Sequence, residues 1–224
     1  MLIVHHLNNS RSQRVLWLLE ELGVPYEIQK YERDSKTMLA PPELARIHPL
    51  GKSPVVVDDG AVVAESGAII ETLLERYGNG RLVPPAGSAE RRRYTYWLHF
   101  AEGSAMPPLV MKLVFQKVKS TPMPFFVKPI ARGISEKVLA RMATPNLTRQ
   151  LDFMEKELAA NAWFAGAEFS AADIQMSFPL EAAAQRAGLD VSRPHLAAFL
   201  KRIHERPAYR KALERGGPYS FAND

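Results

Sequence analysis

The chain has no cysteine. That excludes disulfides, cysteine-ligated metal sites and a protein thiol as nucleophile. Any sulfur chemistry must use a thiol that a ligand brings in. Long apolar runs are also missing, and nothing approaches the roughly 20 residues that cross a bilayer. The opening MLIVHHLNNSRSQR has no basic leader ahead of an apolar stretch, so it does not read as a secretory signal, and a cytoplasmic location is the expectation. The six histidines, His5, His6, His48, His99, His195 and His204, show no metal-ligand spacing, and the adjacent His5 and His6 alternate faces on a strand. No metal is expected. RNA-binding aromatic motifs, zinc-finger spacings, internal repeats and low-complexity tracts are absent too.

What is present is an ordinary globular composition: 224 residues, 46% hydrophobic and 24% charged. The net charge of +5 is uneven. Residues 1–85 carry 9 Lys/Arg against 11 Asp/Glu, hence −2, and residues 86–224 carry 20 against 13, hence +7. A basic second half can attract nucleic acid, anionic lipid or an anionic small molecule, or can be a plain solvated surface. With no recognition motif in support, neither a nucleic-acid nor a membrane partner is expected.

The two halves have different periodicity. Leu2–Leu7 reads as a buried strand, and Asn8-Asn9-Ser10 breaks it. Val15, Leu16, Leu18, Leu19 and Leu22 share a helical face that Gly23 ends. Tyr26, Ile28 and Lys30 alternate as a second strand, and Glu43–Ile47 is a short helix at most. Pro54–Asp58 and Ala61–Ala64 form a hairpin around Asp58-Asp59-Gly60. A helix runs from Ser66 to Tyr77. The order is β-α-β-α-β-β-α. Residues 78–90 are rich in Gly and Pro, and after them the strand signals vanish. Helical patterns cover Glu90–Met106, with a break or kink expected at Pro107-Pro108, then Leu109–Lys119, Phe126–Met142, Pro145–Ala160, Ser170–Arg186, Pro194–Glu205 and Pro207–Arg215.

The stretch HPLGKSPVVVDDGAVVAES, residues 48–66, places Lys52 and Pro54 at one end of the hairpin and Glu65-Ser66 at the other. Taken singly, Ser66 can be an N-cap, Lys52 a turn lysine and Pro54 a strand-entry proline. Taken together with NNSRSQR and FSAADIQ at 169–175, they give the chain a resemblance to the cytosolic glutathione S-transferases, serine-type and bacterial-like. The resemblance spans both halves. It implies a thioredoxin-like α/β domain over 1–80, a linker over 81–89 and an all-helical domain over 90–224 that lines an electrophile site.

The resemblance also implies a homodimer, glutathione as co-substrate, and a role in detoxification by conjugation to electrophiles or reduction of hydroperoxides. Pro54 would be cis. Ser53 would hold the cysteinyl backbone by β-pairing, Lys52 the glycine carboxylate, and Glu65 and Ser66 the γ-glutamyl end. A free thiol has a pKa of about 8.5 and needs a hydrogen-bond donor at a helix N-terminus to become a thiolate at neutral pH. Ser10 is the first candidate for that donor, with Asn9 and Ser12 behind it. The turn has no tyrosine, and a cysteine-type deglutathionylating enzyme is excluded. Ser12, Tyr96, His99, Met106 and Phe115 are candidate lining of the electrophile pocket. Glu102 is a candidate for reaching the γ-glutamyl amine of a partner subunit. Residues 112–141, with 7 Lys/Arg and only Glu136 as an acid, read as a cationic cover over the pocket mouth or as exposed surface. The alternative function is a non-catalytic module with the same fold. Asp173, after Ser170, reads as structural.

Overall fold

A computed structural model describes residues 1–189 and 191–222. The first half holds β1 (Leu2–Leu7), α1 (Ser12–Leu22), β2 (Glu27–Tyr31), α2 (Leu44–Ile47), β3 (Val55–Asp58), β4 (Ala61–Ala64) and α3 (Ser66–Tyr77), in the βαβαββα order expected of a thioredoxin-like unit. The strands form one sheet in the order β2-β1-β3-β4. β1 runs parallel to β2 and antiparallel to β3, which pairs with β4. The turn residues explain the breaks. Gly23 ends α1 at φ 67° and donates its N–H to the Glu20 and Leu19 carbonyls. Asp59 and Gly60 take the positive φ angles, 49° and 86°, that a tight hairpin needs.

α1 is buried over most of its length because it is wedged between β1, α3 and two helices of the second half. Val15, Leu16, Trp17, Leu18 and Leu19 are fully buried. Each such side chain contributes roughly 1.5–3 kcal/mol by leaving water. Trp17 meets Tyr209 edge-on at 5.1 Å and donates its indole N–H to Glu21 at 2.8 Å.

The second half is helical throughout: α4 (Ala89–Phe100), α5 (Met106–Ser120), α6 (Lys128–Val138), α7 (Thr144–Ala160), α8 (Ala171–Arg186), α9 (Pro194–His204) and α10 (Pro207–Gly216). The expected break at Pro107-Pro108 is not where the irregularity lies. Residues 101–105 form a wide π turn, with Met106 N–H bonded to Ala101 O, and both prolines sit in the first turn of α5. A proline lacks the N–H that an interior helical position must donate, and the wide turn ahead of the pair relieves that demand. A second π turn, 139–143, carries α6 into α7. α8 is the central strut, buried from Ala171 through Ala183. Its start is a capping box: Asp173 accepts from Ser170 N–H at 2.9 Å and Phe164 N–H at 2.9 Å. Burial pushes the Asp173 carboxyl up to about 7 against these bonds. Among the described residues, no helix is long and apolar enough to cross a membrane.

Candidate active site

The turn after β1 is pinned from three sides. Asn8 Oδ1 accepts from Arg33 N–H at 3.0 Å, which ties the turn to the end of β2. Asn9 sits at φ 48°, a left-handed conformation that asparagine tolerates better than most residues. Its Oδ1 accepts from Ser220 N–H at 2.7 Å. That bond fixes which end of the amide is oxygen and leaves the NH2 as the donor end.

Ser10 is turned the other way. It is 4% exposed, accepts from Ser12 N–H at 3.2 Å and shares a 2.7 Å hydroxyl–hydroxyl bond with Ser12. Ser12, fully buried, also meets His6 Nδ1 at 2.9 Å and the Leu7 backbone. Ser10 thus accepts from the first N–H of α1, and Ser12 ties the start of that helix to β1. Neither lines the two cavities that Asn9 and Arg11 border.

His6 makes this network pH-sensitive. Burial, then the charge of Lys30, lowers its pKa from 6.5 to about 4. A pKa depressed by folding means the unfolded chain binds the proton more readily. The stability this gives is complete above about pH 6.5 and is lost as pH falls toward 4. Between pH 7 and 5 the loss is about 2 kcal/mol. Urea unfolding at the two pH values is expected to show it in the wild type and a flatter response in His6→Gln. Equal slopes would rule out His6 as the cause.

The first cavity, about 230 Å³, lies along the hairpin and is bordered by Arg11, His48, Lys52, Ser53, Pro54, Glu65, Ser66 and Glu102. The residues expected to grip a glutathione backbone therefore line one cleft. The Ser53–Pro54 peptide is cis. Ser53 Oγ donates to His5 O at 2.8 Å and accepts from Leu7 N–H at 3.2 Å, which locks the loop to β1. Glu65 stands at φ 71° immediately before α3. That conformation costs a non-glycine residue about 1–3 kcal/mol. Its side chain is exposed in the cleft, next to the positive end of a twelve-residue helix.

Behind the cleft lies Arg14, with its side chain only 1% exposed. Nη1 donates to Gln175 O at 2.7 Å. Nη2 donates to Ser66 Oγ at 2.9 Å and to Glu102 at 2.6 Å. One guanidinium thus joins α1, α3, α8 and the 101–105 turn, a task for a rigid fork of donors. Burial pulls the Arg14 pKa down and Glu102 pulls it back up. Burial pushes the Glu102 carboxyl up, but Arg14 and Arg11 outweigh it and the net direction is down. Arg11 Nε meets both Glu102 oxygens, at 3.1 and 2.9 Å. Glu102 borders the cleft, with both oxygens held by arginines of its own chain.

The second cavity, about 420 Å³, opens beside Asn9 and Arg11. Its apolar wall includes Met106, Leu109, Phe178 and Phe221. Of the candidate pocket residues only Met106 is there. Ser12 is sealed in the α1 network. Tyr96 is 49% exposed, packed against Trp97, Phe100 and Phe153, and His99 is exposed on the same helix. Phe115 lies half-buried farther along α5 and outside the cavity. Of the two readings of residues 112–141, exposed surface fits better: only Leu113 borders the cavity, and most of the segment lies in α5 and α6. The cations at the mouth are Arg11, Arg33 and Arg186. Arg14 could have been suspected from sequence, as a charge inside a helix buried all round. Arg33, Arg186 and Phe221 carry no local signal. Among the described residues, no group of three His, Asp or Glu is placed to hold a metal.

A thioredoxin-like sheet followed by a helical bundle, with a polar cleft at the sheet and an apolar one beside it, is the two-domain architecture that the resemblance implies. Comparison with known proteins narrows it. Residues 10–76 match the glutathione S-transferase N-terminal domain and residues 110–207 the glutathione S-transferase C-terminal domain. Glutathione S-transferase 3 of Schizosaccharomyces pombe is 41% identical over 96% of this chain and 88% of its own length. Glutathione S-transferase 1 of Saccharomyces cerevisiae is 35% identical over 95% and 94%. A crystal structure of a glutathione S-transferase from Actinobacillus pleuropneumoniae superposes with a TM-score of 0.80 at 30% identity, covering 100% of this chain and 97% of that one. The chain belongs to the glutathione S-transferase family.

Proposed function

We propose that the protein is a glutathione transferase that activates the glutathione thiol for attack on an electrophilic carbon or on a hydroperoxide oxygen. The peptide lies in the first cavity, its glycine carboxylate at Lys52, its cysteinyl backbone at Ser53, and its γ-glutamyl end at Glu65, Ser66 and the α3 N-terminus. The thiol then points past Arg11 toward Asn9 and the second cavity. The observation that supports this is the convergence of Lys52, Ser53, Glu65 and Ser66 on one cleft that shares Arg11 with an apolar neighbour.

The thiolate donors in this reading are the Asn9 NH2 and the Arg11 charge, not the Ser10 hydroxyl, which is committed to Ser12. A donor and a nearby cation both favour the charged sulfur and bring its pKa toward neutrality. Most of the remaining acceleration comes from holding two substrates together.

Calorimetry with glutathione tests the reading. The wild type is expected to bind, and Glu65→Gly to bind about tenfold more weakly. The same variant is expected to unfold no more easily, or to gain about 1 kcal/mol, because glycine accepts the positive φ without strain. No heat from glutathione would overturn the proposal, and wild-type affinity in the variant would remove Glu65 from the grip. The reading extends to a cytoplasmic homodimer, for which gel filtration should give about twice the 25.1 kDa chain mass.

A further inference from the structure

The second cavity has a charge pattern that the glutathione grip does not use. We propose that it takes a co-substrate with an apolar body and an anionic group, a carboxylate above all, with Arg33 and Arg186 holding the anion. The inference deepens the reading above and rests on it for the thiol step.

Arg11, Arg14, Arg93, Arg206 and Arg215 each meet a carboxylate of this chain within 3.0 Å. Among the described residues, Arg33 and Arg186 meet none, although both border one cavity. Arg33 is half-buried, and its Nη1 donates only to a backbone carbonyl, that of Met38, at 3.1 Å. Arg186 comes from the last turn of α8 and lies over the Phe221 ring at 4.7 Å. Burial, then the charges of Arg11 and Arg186, lower the Arg33 pKa, and among the described residues no carboxylate pairs with either Arg33 or Arg186 on the wall they share. Arg11 differs, because it already shares the Glu102 carboxylate with Arg14. A bound anion supplies the missing partner, and a guanidinium fits a carboxylate in a fork.

The rest of the wall sets the other half of the ligand. Met106, Leu109, Phe178 and Phe221 offer apolar and aromatic surface, with Asn9 on the cavity wall beside them. An aryl or alkyl body on these residues would have its anion at Arg33 and Arg186 and its reactive carbon toward the thiol.

The probes are matched pairs that differ by one charge. For binding, 4-tert-butylbenzoate is compared with its methyl ester by calorimetry. For turnover at saturating glutathione, 4-(chloromethyl)benzoate is compared with its methyl ester. In that step the thiolate sulfur bonds to the benzylic carbon, the C–Cl bond breaks, chloride leaves with the electron pair, and the thiol proton passes to buffer. The acid is expected to bind at least about tenfold tighter than the ester and to show a similar advantage in kcat/KM. In Arg33→Gln/Arg186→Gln the acid-to-ester ratio should fall close to one. In the wild type the acid's affinity, and not the ester's, should weaken between about 0.05 and 0.5 M salt. Should the double variant fail to fold, the salt response and the acid-to-ester ratio of the wild type still decide. Equal affinity for acid and ester, or an unchanged ratio in the variant, overturns the proposal. Charge-dependent binding of 4-tert-butylbenzoate in a protein that gives no heat with glutathione would support the anion site and refute the transferase reading.

Discussion

Asn9→Asp is expected to lower kcat about a hundredfold at saturating glutathione, the scale of losing one well-placed donor to a developing or resident anion. The substitution is nearly isosteric. It keeps an oxygen for Ser220 N–H, so the turn stays anchored, but replaces the NH2 with a second carboxylate oxygen. A sulfur beside that carboxylate resists ionisation, so the pH at half-maximal kcat should move up as well. The KM for glutathione should change little, because the peptide is held by residues 52–66.

Ser10→Ala is the control. It removes a hydroxyl from the α1 cap and leaves Ser12 N–H without its acceptor, at a cost of about 1–2 kcal/mol in stability. Its turnover should stay within about fivefold of the wild type, far from a donor's contribution. Stopped-flow or steady-state rates for the two folded variants separate the cases. A Ser10→Ala enzyme that loses as much turnover as Asn9→Asp would restore the serine as donor.

Arg14→Met is expected to destabilise the protein by about 3–5 kcal/mol, the usual cost of removing one member of a buried, hydrogen-bonded charge pair. Two acceptors, Gln175 O and Ser66 Oγ, lose this donor together, and Glu102 is left with Arg11 alone. Any folded fraction should bind glutathione at least about tenfold more weakly, because the Ser66 hydroxyl is no longer aimed. Arg14→Lys should not rescue it, since one ammonium on a thinner stem cannot span the same three directions. The double variant Arg14→Met/Glu102→Gln should recover part of the stability, because the partly buried carboxylate then left with one arginine is removed. Urea unfolding and glutathione calorimetry on the three proteins supply the readouts. An Arg14→Met protein within about 1 kcal/mol of the wild type would show that the buried fork contributes nothing net.

The sequence showed most where information is local. Gly23, Gly78 and Asp58-Asp59-Gly60 mark element ends because their backbone needs are written in single residues. Lys52, Ser53, Pro54, Glu65 and Ser66 were legible as one cleft because a four-residue strand pair spaces them rigidly. The second cavity was not legible. Tyr96, His99, Met106 and Phe115 come from one long helical stretch, whose pattern gives no side-chain direction. The 101–105 turn lodges an extra residue ahead of Met106 and rotates the faces of α5 by about 100° relative to α4. Met106 reaches the cavity, whereas Tyr96 and His99 stay outside it. Arg33, Phe178, Arg186 and Phe221 meet from distant segments, and periodicity within any one of them says nothing about the others. The Ser10 bonds were not legible for a third reason: a hydroxyl at a helix start can face ligand or bond its own chain, and its contact with Ser12 carries no local signal.

The bond from Ser220 N–H to Asn9 Oδ1 joins residues 211 apart. During synthesis the ribosome releases the early loop long before its clamp exists. A nascent chain halted after α3 would carry Lys52, Ser53, Glu65 and Ser66 but neither the Glu102 wall of the cleft nor the clamp on Asn9. On the proposed reading, the last segments to be translated complete both the grip and the thiol end of the site.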